Sequence, residues 1–271
     1  MIPRCNLHAH TTFCDGNSTA EEMVLGAIKD GCEVLGFSGH SPMPFDTDWC
    51  MTEANVAQYK AEVLRLREKY KDQIEILLGI EYDSFSVCPK EGYDYIIGSV
   101  HHVKKDGVYI PVDATRDLVV TEVTRLFGGE YFAYARAYYD QMYTLFTNTN
   151  CDIVGHFDLL TKYNEDGAMI DETSPVYRKM ALSALDALLE KDLMIEINTG
   201  AISRGYRKTP YPAPFILKRI AEKRGSAILN SDSHAADTVL YFYREAVEYA
   251  RSCGIKELTV YQHGAFVPFA I

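Results

Sequence analysis

Short apolar segments rich in β-branched and aromatic residues alternate along the chain with longer segments of helical spacing. Met180, Ala184 and Leu188 recur at the interval of a helix face, and Ala57 and Leu64 belong to an earlier helical pattern. Strands that alternate with helices are joined by crossover connections and are therefore parallel. Seven segments are predicted to be strands: residues 5–9, 34–38, 74–82, 93–100, 152–157, 193–198 and 227–231.

Seven strand and helix units fit one closed α/β barrel better than two doubly wound domains. No segment rich in Pro, Gly or Ser divides the chain, and it contains no internal repeat or low-complexity segment. We therefore predict a single domain over residues 1–271. The longest departure from the alternation is residues 113–148, where two helical patterns follow each other between the fourth and fifth strands.

The composition is typical of a globular protein, because 47% of the 271 residues are hydrophobic and 24% are charged. Thirty-eight acidic and 27 basic residues give a formal charge of -11, which argues against a broad nucleic-acid surface. The N-terminus lacks a signal-peptide pattern, and no apolar run approaches the roughly 18 residues of a membrane span, so we expect a cytoplasmic protein. The seven cysteines include no CxxC pair, which argues against a thiolate zinc site.

Side chains of metal-ligand type stand at the C-terminal ends of the predicted strands, which meet at one face of a parallel barrel. Because side chains alternate along a strand, His8 shares a face with His10, and Asp232 shares a face with His234. The same alternation selects His101 rather than its neighbour as the inward histidine. The strand ends together carry these candidates: His8, His10, His40, Glu81, His101, His156, Asn198, Asp232 and His234.

Each candidate alone is compatible with a buried, hydrogen-bonded side chain, and Asp15 in HTTFCDG is compatible with an ordinary Asp-Gly turn. The joint pattern is harder to explain in this way, because several buried charges would each need a separate partner. A cluster of metal ions satisfies them together. Imidazole and carboxylate ligands without thiolates are typical of zinc, manganese or iron.

The motifs HAH, DG, GHS, GIE, H, GHFD and SDSH occur in an order that resembles the PHP (polymerase and histidinol phosphatase) superfamily of metal-dependent phosphoesterases. The segment INTGAISRGYRKTPYP resembles the stand-alone histidinol-phosphate phosphatases within that superfamily. The resemblance covers essentially the whole chain. It implies a distorted barrel of seven β/α units with three divalent ions at the C-terminal ends of the strands.

The resemblance also implies a ligand set for the three ions. His8, His10, Glu81 and Asp232 would bind the first; Glu81, as a bridge, with His101 and His156 would bind the second; and Asp15, His40 and His234 would bind the third. Many members of the superfamily have histidine where this chain has Asp15. A carboxylate is a harder ligand, so the identity of the third ion is left open.

The implied function is hydrolysis of L-histidinol phosphate to L-histidinol and phosphate, a step of histidine biosynthesis. A hydroxide between the Glu81-bridged ions would attack phosphorus, while the leaving alkoxide would take a proton from Asp232 or from a bound water. Glu81, Asp232 and His234 are the predicted catalytic residues. The expected partner is a small phosphate monoester, with no role for nucleic acid or membrane.

The segment that follows the sixth predicted strand is expected to bind the phosphate through Ser203, Arg204 and Arg207. An arginine guanidinium can donate two parallel hydrogen bonds to two phosphate oxygens. The amine and imidazole of the alcohol call for carboxylates and aromatic walls. Candidates near the predicted mouth are Phe13, Phe45, Asp158 and Tyr206.

Other functions remain open from the residues. Within the superfamily, the substrate could be a nucleotide, a phosphotyrosine protein or a nucleic acid. An amidohydrolase-type metal hydrolase also opens with HxH, although here no lysine ends a strand and SDSH supplies an additional histidine. A metal-bound module without activity is the third class, and the retention of all nine ligand-type residues argues against it.

Overall fold

The computed structural model describes residues 1–271. Its strands are β1 (Cys5–Asn6), β2 (Val34–Phe37), β3 (Glu75–Asp83), β4 (Tyr95–Ser99), β5 (His102–Lys105), β6 (Val108–Pro111), β7 (Ile153–Val154), β8 (Met194–Asn198), β9 (Ala227–Asn230), β10 (Glu257–Gln262) and β11 (Ala265–Ala270). All seven predicted strands are present, as β1 to β4 and β7 to β9. Each of these pairs in parallel with the next in that order, which confirms the parallel α/β arrangement.

The seven parallel strands curl until the first and last approach each other. The backbone N–H of Leu7 donates to Oδ1 of Asn230 at 2.8 Å, and the N–H of Ser231 donates to Oδ1 of Asn6 at 3.0 Å. A single parallel bridge beyond the strand ends joins Ala9 to a residue that follows β9. The seam between β1 and β9 therefore combines bonds to two buried asparagine side chains with two backbone hydrogen bonds to Ser233, and the barrel is distorted there.

The helices that cover the sheet are α1 (Ala20–Lys29), α2 (Glu53–Tyr70), α3 (Arg116–Phe127), α4 (Tyr131–Tyr143), α5 (Leu145–Thr149), α6 (Pro175–Leu189), α7 (Gly200–Ser203), α8 (Pro214–Lys223) and α9 (Tyr243–Ser252). Local sequence fixes several starts. Thr19 and Glu22 form a capping box on α1, and α6 and α8 begin with proline, whose missing N–H has no helical partner at that position. The two helical patterns in residues 113–148 are α3 and α4, followed by the short α5.

The face of α2 differs from the one that its small apolar residues predict. Leu64 is 48% exposed, whereas Tyr59, Val63 and Leu66 are buried against the sheet. The larger side chains decide the orientation, because burying them removes more apolar surface from water than burying the alanines does. The helix was predicted correctly and its buried face was wrong.

Two hairpins were not predicted. The β5–β6 hairpin turns at Asp106 and Gly107, both with positive φ, and the β10–β11 hairpin turns at His263 and Gly264 in the same conformation. An Asp-Gly pair between alternating apolar residues is a hairpin signal, so VKKDGVYI contained the information for the first. The second hairpin extends the sheet beyond β9, outside the seven-stranded barrel.

The barrel is apolar at its centre and polar at the C-terminal ends of its strands. Tyr95 crosses the interior, and its hydroxyl donates to the backbone carbonyls of Leu7 and Phe37. Gly36 and Gly79 leave the space that its ring occupies. Above this plug the lining changes to histidine and carboxylate. None of the helices is both long and apolar enough to cross a membrane.

Candidate metal centre

Glu81 lies at the centre of a polar cluster near the end of β3 and is completely buried. Its Oε1 accepts a hydrogen bond from the hydroxyl of Ser99 at 2.6 Å and lies 2.9 Å from Nε2 of His156. Its Oε2 lies 2.9 Å from Nδ1 of His40 and 3.2 Å from Nε2 of His8. One carboxylate thus joins side chains from four segments of the chain.

All nine side chains of the implied ligand set converge around Glu81. They form four overlapping groups whose ligand atoms lie within 4.8 Å of one another: His10, Asp15, His40 and His234; His8, Glu81 and His156; His8, His10 and Asp232; and His40, Glu81 and His101. His40 belongs to two groups because its two ring nitrogens face different carboxylates, Nδ1 towards Glu81 and Nε2 towards Asp15 at 3.5 Å. The groups are continuous, as expected for a site that holds several ions.

Several buried ligand atoms lie close to one another but make no hydrogen bond of acceptable geometry. These atoms are Nε2 of His8 and of His10, Nδ1 of His40 and Oε2 of Glu81. Buried polar atoms are rarely left unpaired, since each costs about 1–3 kcal/mol. Imidazole nitrogens and carboxylate oxygens of this kind are ligands for divalent transition metals. The residues present therefore fit a metal cluster.

The electrostatics of the cluster couple its carboxylates to its imidazoles. Burial alone would raise the pKa of Glu81, but His40 and His8 hold it well below its usual range. Burial, helped by neighbouring imidazoles, lowers the pKa of His10 to about 3. Burial would also lower the pKa of His40, but Glu81 and Asp15 raise it to about 9. The buried carboxylates thus need positive charge nearby. Bound metal ions would supply it in place of the protons on some of the imidazoles.

Two carboxylates behind the cluster orient histidines, and the sequence analysis missed both. Glu196 on β8 is fully buried, and its Oε1 lies 2.7 Å from Nδ1 of His8. Asp83, at the end of β3, lies 3.1 Å from Nδ1 of His101 and accepts the backbone N–H of the same residue. Each leaves Nε2 of its histidine facing Glu81. The available signal was alternation, since Asp83 lies two residues after Glu81.

A cavity of about 420 Å³ opens over the cluster, and Arg204 lies on its wall. Nη1 and Nη2 of Arg204 donate to the carbonyl oxygen and Oδ2 of Asp232, both at 3.0 Å. Arg207 does not line this cavity, because Nη1 donates to the carbonyl and hydroxyl of Thr161 at 2.7 and 2.8 Å. Ser203 also lies outside the lining, and its hydroxyl donates to a backbone carbonyl. Of the three predicted phosphate ligands, only Arg204 faces the cavity.

The rest of the cavity wall comes from the loops after β2, β7 and β8 and from the segment that runs from the start of β5 into the first turn of α3. Its lining residues are Asp46, Trp49, His102, Pro111, Asp113, Ala114, Leu118, Leu159, Lys162 and Tyr206. The sequence suggested Tyr206 as an aromatic wall for the substrate, but it did not suggest Trp49. Phe13, Phe45 and Asp158 do not line the cavity. Asp158 is fully buried, and burial raises its pKa to about 6.

Residues 6–200 match the family model of the PHP domain. The chain belongs to the PHP domain family. The crystal structure of histidinol phosphate phosphatase from Lactococcus lactis, complexed with zinc, L-histidinol and phosphate, shares the fold of this PHP domain. The TM-score is 0.71 at 20% identity, over 97% of this chain and 98% of that one. The predicted PHP-type barrel is therefore confirmed.

Curated relatives of this PHP domain match it over nearly their full length. One from Deinococcus radiodurans, named probable histidinol-phosphatase, is 29% identical over 99% of this chain and 100% of its own. Another from Bacillus subtilis, named histidinol-phosphatase, is 25% identical over 89% of this chain and 97% of its own. The sequence resemblance to the PHP superfamily is confirmed.

Proposed function

We propose that this PHP domain is a metal-dependent phosphatase that hydrolyses L-histidinol phosphate to L-histidinol and phosphate, a step in histidine biosynthesis. The convergence of nine ligand-type side chains beneath a cavity that also contains Arg204 carries the proposal. Relatives that match nearly end to end are named histidinol-phosphatases, which supports the substrate. A cavity of about 420 Å³ suits a small phosphate monoester.

The proposed cofactor is a set of three divalent ions, zinc, manganese or iron, held by the nine side chains of the ligand set. The overlap of their four groups and the unpartnered ring nitrogens support more than one ion. Such ions supply Lewis acidity, which lowers the pKa of water and neutralises charge on phosphoryl oxygens. The protein fixes where this chemistry happens, because Glu81 and the histidines around it are buried and tightly packed.

Arg204 is proposed to bind a phosphate oxygen at the edge of the cluster. Its guanidinium is anchored on Asp232, so its position is set before the substrate arrives, and its side chain is still 30% exposed. A planar fork of this kind matches the oxygens of a phosphate dianion. The hydrogen bond between Nη1 of Arg204 and Nδ1 of His234, at 2.7 Å, places Arg204 beside the residues proposed to bind the third ion.

The proton for the leaving alkoxide is assigned to water rather than to Asp232. Burial would raise the pKa of Asp232, but Arg204 and His8 hold it well below its usual range. Its Oδ2 already accepts a hydrogen bond from Nη2 of Arg204, which favours a role as a cation-binding carboxylate over a role as proton donor. The proposed catalytic role of Asp232, Glu81 and His234 is to fix the positions of the positive charges around the reacting phosphate.

Residues 1–271 are proposed to form one domain. The family model ends at residue 200, but β9, which follows that end, belongs to the same sheet and closes against β1. A cytoplasmic location is also proposed. All seven cysteines are free, which is typical of reducing compartments.

The decisive experiment combines metal analysis with activity on L-histidinol phosphate and on a panel of phosphomonoesters that includes nucleotides, phosphotyrosine and p-nitrophenyl phosphate. We expect zinc, manganese or iron in the protein and a preference for L-histidinol phosphate in kcat/KM of about 100-fold or more. Equal activity across the panel would reject the substrate and leave the phosphatase class standing. A metal-loaded protein without activity on any ester would reject the enzyme class.

A further inference from the structure

The cavity over the metal cluster has opposite charges on different parts of its wall. Arg204 is hydrogen-bonded to Asp232 and His234 of the ligand set, whereas Asp46, from the loop after β2, lines the same cavity and pairs with His102, which is not in the ligand set. Trp49 contacts both the cluster and the histidine that pairs with Asp46, since its ring centroid lies 4.6 Å from that of His40, 5.2 Å from that of His101 and 6.0 Å from that of His102. A ligand with phosphate at the cluster would extend past Trp49 towards Asp46.

Asp46 is held in place without being neutralised by a lysine or arginine. Its Oδ2 lies 3.1 Å from Nε2 of His102, and no other side chain forms an ion pair with it. His102 is 2% exposed and lies against the rings of Phe45 and Trp49, at 5.1 and 6.0 Å between centroids. The carboxylate itself is 34% exposed. It is therefore fixed in direction and open to a ligand.

Asp113 is the other carboxylate outside the ligand set that lines this cavity, and it is already paired with a cation. Nζ of Lys162 donates to its backbone carbonyl at 2.6 Å and lies 3.7 Å from its Oδ2. Lys162 also lies 4.4 Å from the ring centroid of Tyr206. The contrast leaves Asp46 as the carboxylate on this wall with unmatched negative charge.

We infer that Asp46, oriented by His102, binds the ammonium group of the alcohol portion of the substrate. The inference rests on the proposed function and deepens it, because it identifies a residue that determines specificity within the same site. A phosphate dianion at Arg204 and an ammonium at Asp46 match the opposite charges of these two lining residues. A carboxylate and an ammonium form a charge-assisted hydrogen bond, which favours cationic esters over neutral ones.

The test compares L-histidinol phosphate with imidazolylpropyl phosphate, which lacks only the amine. In Asp46→Asn, we expect kcat/KM for L-histidinol phosphate to fall about 10- to 100-fold, mainly through KM, as for a lost hydrogen bond to a charged group. The value for the analogue should change by less than about 3-fold, because no ammonium is there to be bound. Asp48→Asn, an exposed change in the same loop, is the matched control and should leave both values unchanged.

The outcomes separate this inference from the proposed function. A wild-type protein with no preference for L-histidinol phosphate over the general panel overturns the function, whatever the variant does. A wild-type preference that Asp46→Asn retains overturns the role of Asp46. An equal loss on both esters also overturns it, because Asp46 would then act on the cluster or on the fold. Metal content and circular dichroism of Asp46→Asn distinguish those two causes, and Asp46→Ser provides a second variant for the same comparison.

Discussion

Glu196 connects four residues at the strand ends around the site, although the sequence did not single it out. Besides Nδ1 of His8, its carboxylate accepts hydrogen bonds from the backbone of His156 at 2.8 Å and from the amides of Asn198 and Asn230, both at 2.9 Å. These partners belong to four strand ends of the barrel. A carboxylate on Nδ1 fixes the tautomer of a histidine that offers Nε2 to a metal.

Glu196→Gln should therefore weaken metal binding while leaving the ligand set intact. A neutral amide cannot accept all four hydrogen bonds, and we expect metal affinity to fall about 10- to 100-fold. The measurement is metal content after dialysis, together with competition against a chelator of known affinity. Glu190→Gln, an exposed change at the end of α6, is the control. Unchanged affinity in folded Glu196→Gln would show that His8 does not need this carboxylate.

Arg204→Ala should separate substrate binding from metal binding. Removing the guanidinium deletes the proposed phosphate contact, so we expect KM for the phosphate ester to rise about 10- to 100-fold, with metal content nearly unchanged. Steady-state kinetics and metal analysis of the same preparation measure both effects. Arg251→Ala, on the exposed face of α9, is the matched control. If kcat/KM stays the same in Arg204→Ala, the arginine does not bind phosphate.

At the scale of single residues, the sequence predicted the side chains that follow strands more successfully than those within loops. His8, His40 and Glu81 stand where alternation and strand ends put them, and the structure brings them together. Arg207 lies only three residues after Arg204 but turns towards Thr161, because the chain turns at Gly205, which has a positive φ, after α7 has ended. A loop has no fixed period, so spacing alone cannot assign the direction of its side chains.

The strands of the barrel depend on one aromatic side chain inside it. Tyr95 of β4 packs over Gly79 of β3 and under Gly36 of β2, where a Cβ atom would overlap its ring or hydroxyl. Neither glycine has a positive φ, so close packing rather than backbone conformation requires glycine there. Strands β2, β3 and β4 therefore form a unit that is packed around the side chain of Tyr95.

Gly79→Ala should destabilise this unit by about 1–3 kcal/mol or more, because overpacking forces the ring or the backbone to move. The same change in a Tyr95→Leu background should cost less, since the smaller side chain gives the new methyl group room. Chemical denaturation of the two single variants and the double variant forms the necessary cycle. Strictly additive free energies of unfolding would show that Gly79 and Tyr95 do not interact in this way.

Among whole elements, the sequence predicted those that repeat a period and missed the two hairpins that interrupt or follow the series. The β5–β6 hairpin is short, and it lies in a segment where the barrel pattern predicts a crossover. Its effect is local but important, because His102 begins β5 and Pro111 ends β6, and both line the cavity. The alternation of strands and helices predicts the barrel, but it does not show how an inserted hairpin shapes the opening of the cavity.

Over the whole molecule, removing metal should destabilise the protein as well as inactivate it. The cluster gathers three carboxylates and six imidazoles in buried or partly buried positions, and bound ions stabilise the folded state by mass action. We expect chelation to lower the unfolding temperature by about 5–15 °C and to abolish phosphatase activity. Differential scanning fluorimetry and activity assays before and after adding back zinc or manganese measure both. An unchanged unfolding temperature in a protein shown to be metal-free would contradict the stabilising role.

The ligands of the site are synthesised at very different times during translation. His8 and His10 lie near the beginning of the chain, whereas Asp232 and His234 lie near its end, and the asparagine seam joins residues 223 positions apart. A growing polypeptide therefore displays half of this ligand group long before the other half exists. Closing so long a loop carries an entropic penalty, which the finished seam and the shared ligands offset together. The complete ligand set therefore exists only after His234 has been synthesised. A chain released before that point would lack part of the metal centre.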